Sequence, residues 1–95
     1  MITQKEQENI RRFYEGILKL KTVEECDKFF DDVATIKELL EMSSRLEVAR
    51  LLDEGHVFND ISKETGASSA TISRVNKCLS YGPGGYQMIL DRLKK

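Results

Sequence analysis

Short hydroxyl side chains followed by a guanidinium, set along one predicted helix, are the residues of this chain best suited to chemistry with a large polar partner. They are Ser68, Ser69, Ala70, Thr71, Ser73, Arg74 and Lys77, within the stretch ISKETGASSATISRVNKCL from Ile61 to Leu79. Small side chains at a helix start let the backbone approach phosphates and base edges, and an arginine can fork onto a guanine edge or grip a phosphate. The elements that must position them are equally legible. Ile61 to Thr65 is a short amphipathic segment, and Gly66 takes the tight connection, where a left-handed backbone costs a residue with a Cβ roughly 1 to 2 kcal/mol. Ser68 or Ser69 is a natural N-cap for the next helix. Ile72, Val75 and Leu79 recur at spacings of three and four and so share a buried face, leaving Thr71, Ser73, Arg74 and Lys77 outside. This is the layout of a helix-turn-helix, whose second helix enters the major groove of DNA. A hairpin made only for packing needs the same glycine and apolar stripe, but has no use for exposed hydroxyls ending in arginine.

Ninety-five residues make one small domain at most, near the size where a single core is marginal without a partner, so a dimer is expected. Forty per cent hydrophobic and 33% charged residues are the composition of a soluble globular protein. No apolar run approaches the roughly 20 residues that span a bilayer. The start, MITQKEQENIRR, is charged and has no apolar signal-peptide core, so export is not expected and the cytoplasm is. Cys26 and Cys78 fall inside helical patterns and read as buried thiols of a reducing compartment rather than a disulfide pair. Net charge is −1, an objection to nucleic-acid binding that the distribution softens. Residues 1 to 58 hold 9 Lys/Arg against 13 Asp/Glu, whereas residues 59 to 95 hold 6 against 3. A basic C-terminal part on an acidic body fits a protein that docks one surface on phosphate, with modest affinity that a second copy would raise.

Upstream, residues 4 to 20 carry an apolar stripe of Ile10, Phe13, Tyr14, Ile17 and Leu18. It either covers a core of its own or interlocks with a second chain. Thr22 with Glu25 forms a capping box ahead of a helix whose Cys26, Phe29, Phe30 and Val33 face inward. Thr35 with Glu38 repeats the signal before a long helix carrying Ile36, Leu39, Leu40, Leu46, Ala49 and Leu52, closed by Gly55. Ser43 and Ser44 interrupt that pattern, leaving open whether the helix breaks there. After the motif, SYGPGGYQ makes a turn over Gly82 to Gly85, with Tyr81 and Tyr86 expected to pack, and a last helix bears Tyr86, Ile89, Leu90 and Leu93. No segment alternates as a strand would. The fold class expected is all-α, a compact domain of five or six helices.

Enzymatic chemistry finds little support. His56 stands alone in a polar link with no acid or nucleophile at fixed spacing, and His56, Cys26 and Cys78 match no zinc pattern. No metal is expected.

Leu51-Leu52, the Gly66-Ala67 turn and Ala70-Thr71-Ile72-Ser73-Arg74 together resemble the Trp repressor superfamily, over about Val33 to Leu93. The GPGGY segment at Gly82 to Tyr86 is similar to its YerC/YecD-type branch of TrpR-related proteins. The resemblance implies an intertwined homodimer that binds double-stranded DNA as a repressor, with two recognition helices entering successive major grooves. Trp repressor is itself among the proteins from which that docking rule is drawn. It implies a single helical domain over 1–95, with 1–33 as N-terminal dimerisation helices and 34–95 as the helix-turn-helix region. By resemblance Ser68, Ser69, Ala70, Thr71 and Ser73 meet DNA at the start of the recognition helix, while Asn59 and Ser62 take flanking positions that are cationic in the family. Lys63, Arg74 and Lys77 complete the DNA-facing set.

The ligand side of the resemblance is weaker. A ligand-clamping arginine of the family falls on Ser44, with Arg45 one place later and roughly 100° around the helix, so a salt bridge to an amino-acid carboxylate is lost. Arg74 matches an arginine between ligand and DNA. Val75 replaces a glycine beside the indole, and Cys78 replaces a hydroxyl near the amino group, where a thiol is a poorer partner. The expectation is DNA binding without a corepressor, or with a small molecule other than tryptophan. The alternative is a helical protein–protein interaction module that has lost DNA binding.

Overall fold

Six helices and no strands form the chain, whose computed structural model describes residues 1–95. In order they are α1 (Gln4–Ile17), α2 (Val23–Val33), α3 (Ile36–Asp53), α4 (Phe58–Thr65), α5 (Ser69–Tyr81) and α6 (Gly85–Leu93). They divide into two units, Met1–Ile36 and Lys37–Lys95.

In the first unit α1 opens on a full capping box. The Thr3 hydroxyl accepts from the Glu6 amide at 3.1 Å and the Glu6 carboxylate accepts from the Thr3 amide at 2.7 Å, satisfying two first-turn donors. α1 stops three residues short of the expected end at 20. Lys19 and Leu20 bond back only to Gly16 and Ile17, the tightened final turn of a fraying helix. At α2 the box is half made. Thr22 accepts from the Glu25 amide at 3.0 Å, but the Glu25 carboxylate accepts from Lys21, one residue earlier than a box requires.

The two helices of this unit share aromatic contacts. The Phe13 ring lies 5.9 Å from Phe29 in a tilted arrangement and 6.5 Å from Phe30 edge-on, and in the second pair the positive edge of one ring meets the negative face of the other. Even so, no residue of α1 or α2 is buried, and Leu18 is 82% exposed. The apolar stripe therefore does not cover a core of its own within the chain. Cys26, read as a buried thiol, is exposed for the same reason, because nothing in this unit is enclosed.

The second unit holds the core. Val48, Ala49 and Leu51 of α3, Ile61 of α4, Ile72 and Val75 of α5 and Leu90 of α6 are buried, with Leu46, Leu52, Ala67 and Tyr86 packed against them. Each fully enclosed branched side chain is worth roughly 1.5 to 3 kcal/mol of transfer free energy. α3 begins directly after Thr35 and runs unbroken through the serine pair. The Ser43 hydroxyl donates to the Leu40 carbonyl at 3.0 Å, a local back-bond that a helix tolerates without breaking. Its buried positions are Val48, Ala49 and Leu51 rather than the wider stripe from Ile36. Ile36 and Leu40 face outward because only the C-terminal half of α3 meets other helices of the unit.

α3 ends in a Schellman motif. The Gly55 amide donates to Leu52 and the His56 amide to Leu51, both at 3.0 Å, with Gly55 at φ 90°. Tyr86 is half-buried on the core as expected, whereas Tyr81 is 86% exposed, beyond the last core contact of α5. No helix is long and apolar enough to cross a membrane.

One long-range ion pair ties the end of the chain to α3, with Lys94 Nζ 3.0 Å from the Asp53 carboxylate. The hydrogen bond from Lys94 holds Asp53 below the ordinary carboxylate value of 3.8, and the same bond raises Lys94 above 10.5. Asp53 is depressed, so its contribution is complete above pH 3.8 and is lost as pH falls through its lower folded value. Lys94 is raised, so its contribution is complete below 10.5 and is lost as pH climbs past its higher folded value. Lys94→Ala should therefore return the Asp53 titration, followed by carboxyl NMR, to the ordinary range. An unchanged midpoint would show that the ion pair does not form in solution.

Candidate nucleic-acid interface

Local hydrogen bonds fix the angle between α4 and α5, beginning with Gly66, which closes α4 in the left-handed region at φ 76° and donates its amide to Ser62 at 2.8 Å. Three side-chain bonds lock the turn from its inner side. The Ser62 hydroxyl donates to the Ala67 carbonyl at 2.9 Å, the Thr65 hydroxyl donates to the Ile61 carbonyl at 2.7 Å, and the Ala67 amide donates to the Thr65 hydroxyl at 3.1 Å. Ser68 is then the N-cap of α5, accepting from the Thr71 amide at 3.1 Å while its own hydroxyl donates to the Thr71 hydroxyl.

This network divides the hydroxyls that the sequence grouped together. Ser62, expected at a flanking DNA position, is half-buried with its hydroxyl donated into the turn, so it holds the hairpin rather than pointing a donor at solvent. Ser68 and Thr71 are engaged with each other at the cap. Ser69, Ala70 and Ser73 remain exposed, with Arg74 and Lys77 on the following turns. Amides in the first turn of a helix have no intrahelical acceptor, so Ser69 and Ala70 present N–H groups beside small side chains at the positive end of the α5 dipole.

Ile72 and Val75 are buried beneath this face as expected, and Leu79 is half-buried. The charge of α5 is of one sign, since Arg74 and Lys77 are its only ionisable Lys, Arg, Asp or Glu residues. Neither they nor Lys63 of α4 enters an ion pair, whereas Arg45, Arg50 and Lys94 in the same unit are each paired with a carboxylate. Asn59 and Lys63 are exposed on α4, beside Asp60 and Glu64.

Behind α5 lies a cleft of about 280 Å³ lined by Arg45, Thr71, Arg74, Val75, Cys78 and Tyr86. Ser44 is half-buried on α3 and does not line it. Arg45 does, so a guanidinium reaches the cleft despite the shift of one residue. Its only ion pair is with Glu41 at 3.8 Å, one turn earlier on the exposed side of α3. Cys78, read as a buried thiol, is exposed, because α5 buries only Ile72 and Val75 and Cys78 opens onto the cleft. Thr71 and Tyr86 belong to the cleft although sequence reasoning gave Thr71 to DNA and Tyr86 to packing. The signal for Tyr86 was its place directly after the GPGG turn, which starts α6 against α5.

Gly66 carries no neighbour within 4 Å of a would-be Cβ, so its replacement costs backbone strain alone. Gly66→Ala should lower unfolding free energy by roughly 1 to 2 kcal/mol, and Gly66→Asn by less, since asparagine tolerates left-handed backbone. Ser68→Ala should cost about 1 kcal/mol through the lost cap. Urea unfolding of the three variants measures this, and a Gly66→Ala variant as stable as the parent would mean that the turn is not left-handed.

Comparison with known proteins agrees with this geometry. The family described as Trp repressor protein matches residues 8–94. The chain is 54% identical over 84 residues to the uncharacterized protein YerC of Bacillus subtilis strain 168, covering 88% of this chain and 81% of YerC. Among solved structures it is similar to a TrpR-like protein of Eubacterium eligens ATCC 27750, with a TM-score of 0.89 and 46% identity over 92% of this chain and 90% of that one. A candidate Trp repressor of Staphylococcus aureus gives a TM-score of 0.89 and 41% identity, with 98% and 96% covered.

Proposed function

Because the chain belongs to the Trp repressor family, we propose that it is a homodimeric, sequence-specific DNA-binding transcription regulator of the cytoplasm, with α5 as its recognition helix. The observation that carries the reading is the outer face of α5. Ser69, Ala70 and Ser73 leave room for close approach, and Arg74 and Lys77 stand free of any carboxylate. Lys63 and Asn59 flank it on α4. In this reading Ser69, Ala70 and Ser73 meet base edges or phosphates, Arg74 reads a guanine or holds a phosphate, and Lys63 and Lys77 anchor the backbone. Ser68, Thr71 and Ser62 serve by holding the helix at its angle.

The dimer is proposed from α1 and α2. The first two helices contain no fully buried residue and leave Tyr14, Leu18 and Val33 open to water, so the first unit lacks an enclosed core of its own. A second copy interlocking over residues 1–33 would close it. Residues 34–95 then form the region that carries the helix-turn-helix. Operator sites should be palindromic, with half-sites about one helical turn apart, because operator symmetry mirrors protein symmetry.

Tryptophan is not the proposed corepressor. Val75 lines the cleft with a branched side chain where the resemblance puts a glycine beside the indole, and Cys78 is a poor partner for an amino group. Calorimetric titration with L-tryptophan should give no saturable heat at micromolar concentration, and a micromolar isotherm would overturn this part of the reading.

Arg74→Ala combined with Lys77→Ala should abolish retention on duplex DNA at low salt while leaving thermal stability and dimerisation unchanged. Removing one phosphate-binding cation alone should reduce the slope of log affinity against log salt by roughly 0.9. Failure of the parent protein to be retained at low salt would leave the helical interaction module as the better description.

A further inference from the structure

Tyr81, the last residue of α5, is the aromatic side chain most open to water, at 86% exposed. The other two tyrosines have neighbours, Tyr14 the ring of Phe13 and Tyr86 the core, whereas Tyr81 makes no ring contact and no side-chain hydrogen bond. Its direction follows from the helix. Ala70, Arg74, Lys77 and Tyr81 are spaced by four, three and four residues, which at roughly 100° per residue keeps them within about 60° of one another, on the side opposite Ile72 and Val75. α5 carries this line no further. The Gly82 amide donates to the Cys78 carbonyl at 2.8 Å, and a Cβ at Gly82 would collide with that same oxygen, so the helix stops directly after Tyr81. No Asp or Glu lies on α5 or among Gly82 to Gly85, which leaves the phenol at the end of a face whose charges are all positive.

We propose that Tyr81 is a DNA-backbone contact of α5, donating its phenolic O–H to a phosphate at the rim of the major groove. The inference rests on the reading of α5 as the recognition helix and fixes the far end of that surface. With the first residues of the helix at base edges, Tyr81 stands about 18 Å further along the axis. That exceeds the ~12 Å width of the groove, so the phenol lies past the bases and level with the phosphates that border them. A tyrosine hydroxyl has one proton to donate, and phosphate oxygens accept from tyrosine as they do from arginine and lysine. The contact differs in kind from those of Arg74 and Lys77. It is a hydrogen bond without a cation, so it adds affinity without releasing a counterion, and a phosphate carries no sequence information.

The test titrates alternating A-T and alternating G-C duplexes of equal length with the full-length parent, Tyr81→Phe, Tyr81→Lys and Lys77→Ala across a series of salt concentrations. Tyr81→Phe should lose affinity on the order of tenfold, the worth of one hydrogen bond to a charged acceptor, by the same factor on both duplexes and with the parent's slope of log affinity against log salt. Its thermal unfolding should match the parent's, since the side chain is bonded to nothing within the chain. Tyr81→Lys puts a cation at the same point and should steepen the slope by roughly 0.9, while Lys77→Ala flattens it by as much. Tyr81→Phe binding as tightly as the parent, a loss confined to one duplex, or a slope that Tyr81→Lys leaves unchanged would overturn the proposal. A flattened slope for Lys77→Ala in that same experiment would show the DNA-binding reading still standing. A parent that binds neither duplex overturns that reading, and this contact with it.

Discussion

Ile72 and Val75 hold α5 by one edge against Val48, Ala49, Leu51, Ile61 and Leu90, and the behaviour of the rest of the helix depends on that one-sided grip. A helix anchored along a single stripe can leave its opposite side bare only if its direction is set elsewhere. Here the direction is set at the N-terminus, where the left-handed Gly66 and the bonds of Ser62, Thr65 and Ser68 define how α4 passes into α5. Packing supplies the stability and the turn supplies the angle. Neither function is shared with the residues left outside, which are therefore free to be small or cationic without cost to the fold.

That separation explains why a chain with net charge −1 can carry a basic surface. Glu41, Glu47, Asp53 and Glu54 of the second unit are matched to cations. Arg50 bridges Glu47 and Glu54 along α3, and Lys94 is held by Asp53. The bond from Arg50 keeps Glu47 below the ordinary carboxylate range. Local pairing cancels these charges at short range, whereas Arg74, Lys77 and Lys63 keep theirs. What a phosphate would meet is the local balance along α5 and not the sum over the chain, because charges beyond about 10 Å are screened at ordinary ionic strength.

Much of this was legible in the sequence, for reasons that differ from element to element. Gly66, Ser68 and the Ile72–Val75 spacing are local signals, each tied to a backbone requirement within a few residues, and they mark the hairpin correctly. The unbroken course of α3 through Ser43 and Ser44 could not be read, because a serine that caps and a serine that bonds back to its own helix look alike until the chain is folded. Burial of Val48 and Leu51 was likewise hidden, since apolar residues surround much of α3 and the choice of face is made by its neighbours. The hydrogen bonds of Ser62 and Thr71 within the turn and cap could not be read, because sequence counts hydroxyls without showing which are already bonded. Both cysteines were read as buried on helical periodicity alone, which ranks faces but does not say whether anything covers them.

The claim on which the account turns is the proposal that the outer face of α5, flanked by Asn59 and Lys63 of α4, is the surface that meets DNA. Backbone amide NMR of the intact protein, titrated with a short duplex at low salt, tests it directly. The account predicts that the largest shifts fall on Ser69, Ala70, Ser73, Arg74 and Lys77, with smaller ones at Asn59 and Lys63, while α1 and α2 stay unmoved. Shifts concentrated in Gln4–Val33, with α5 silent, would contradict it.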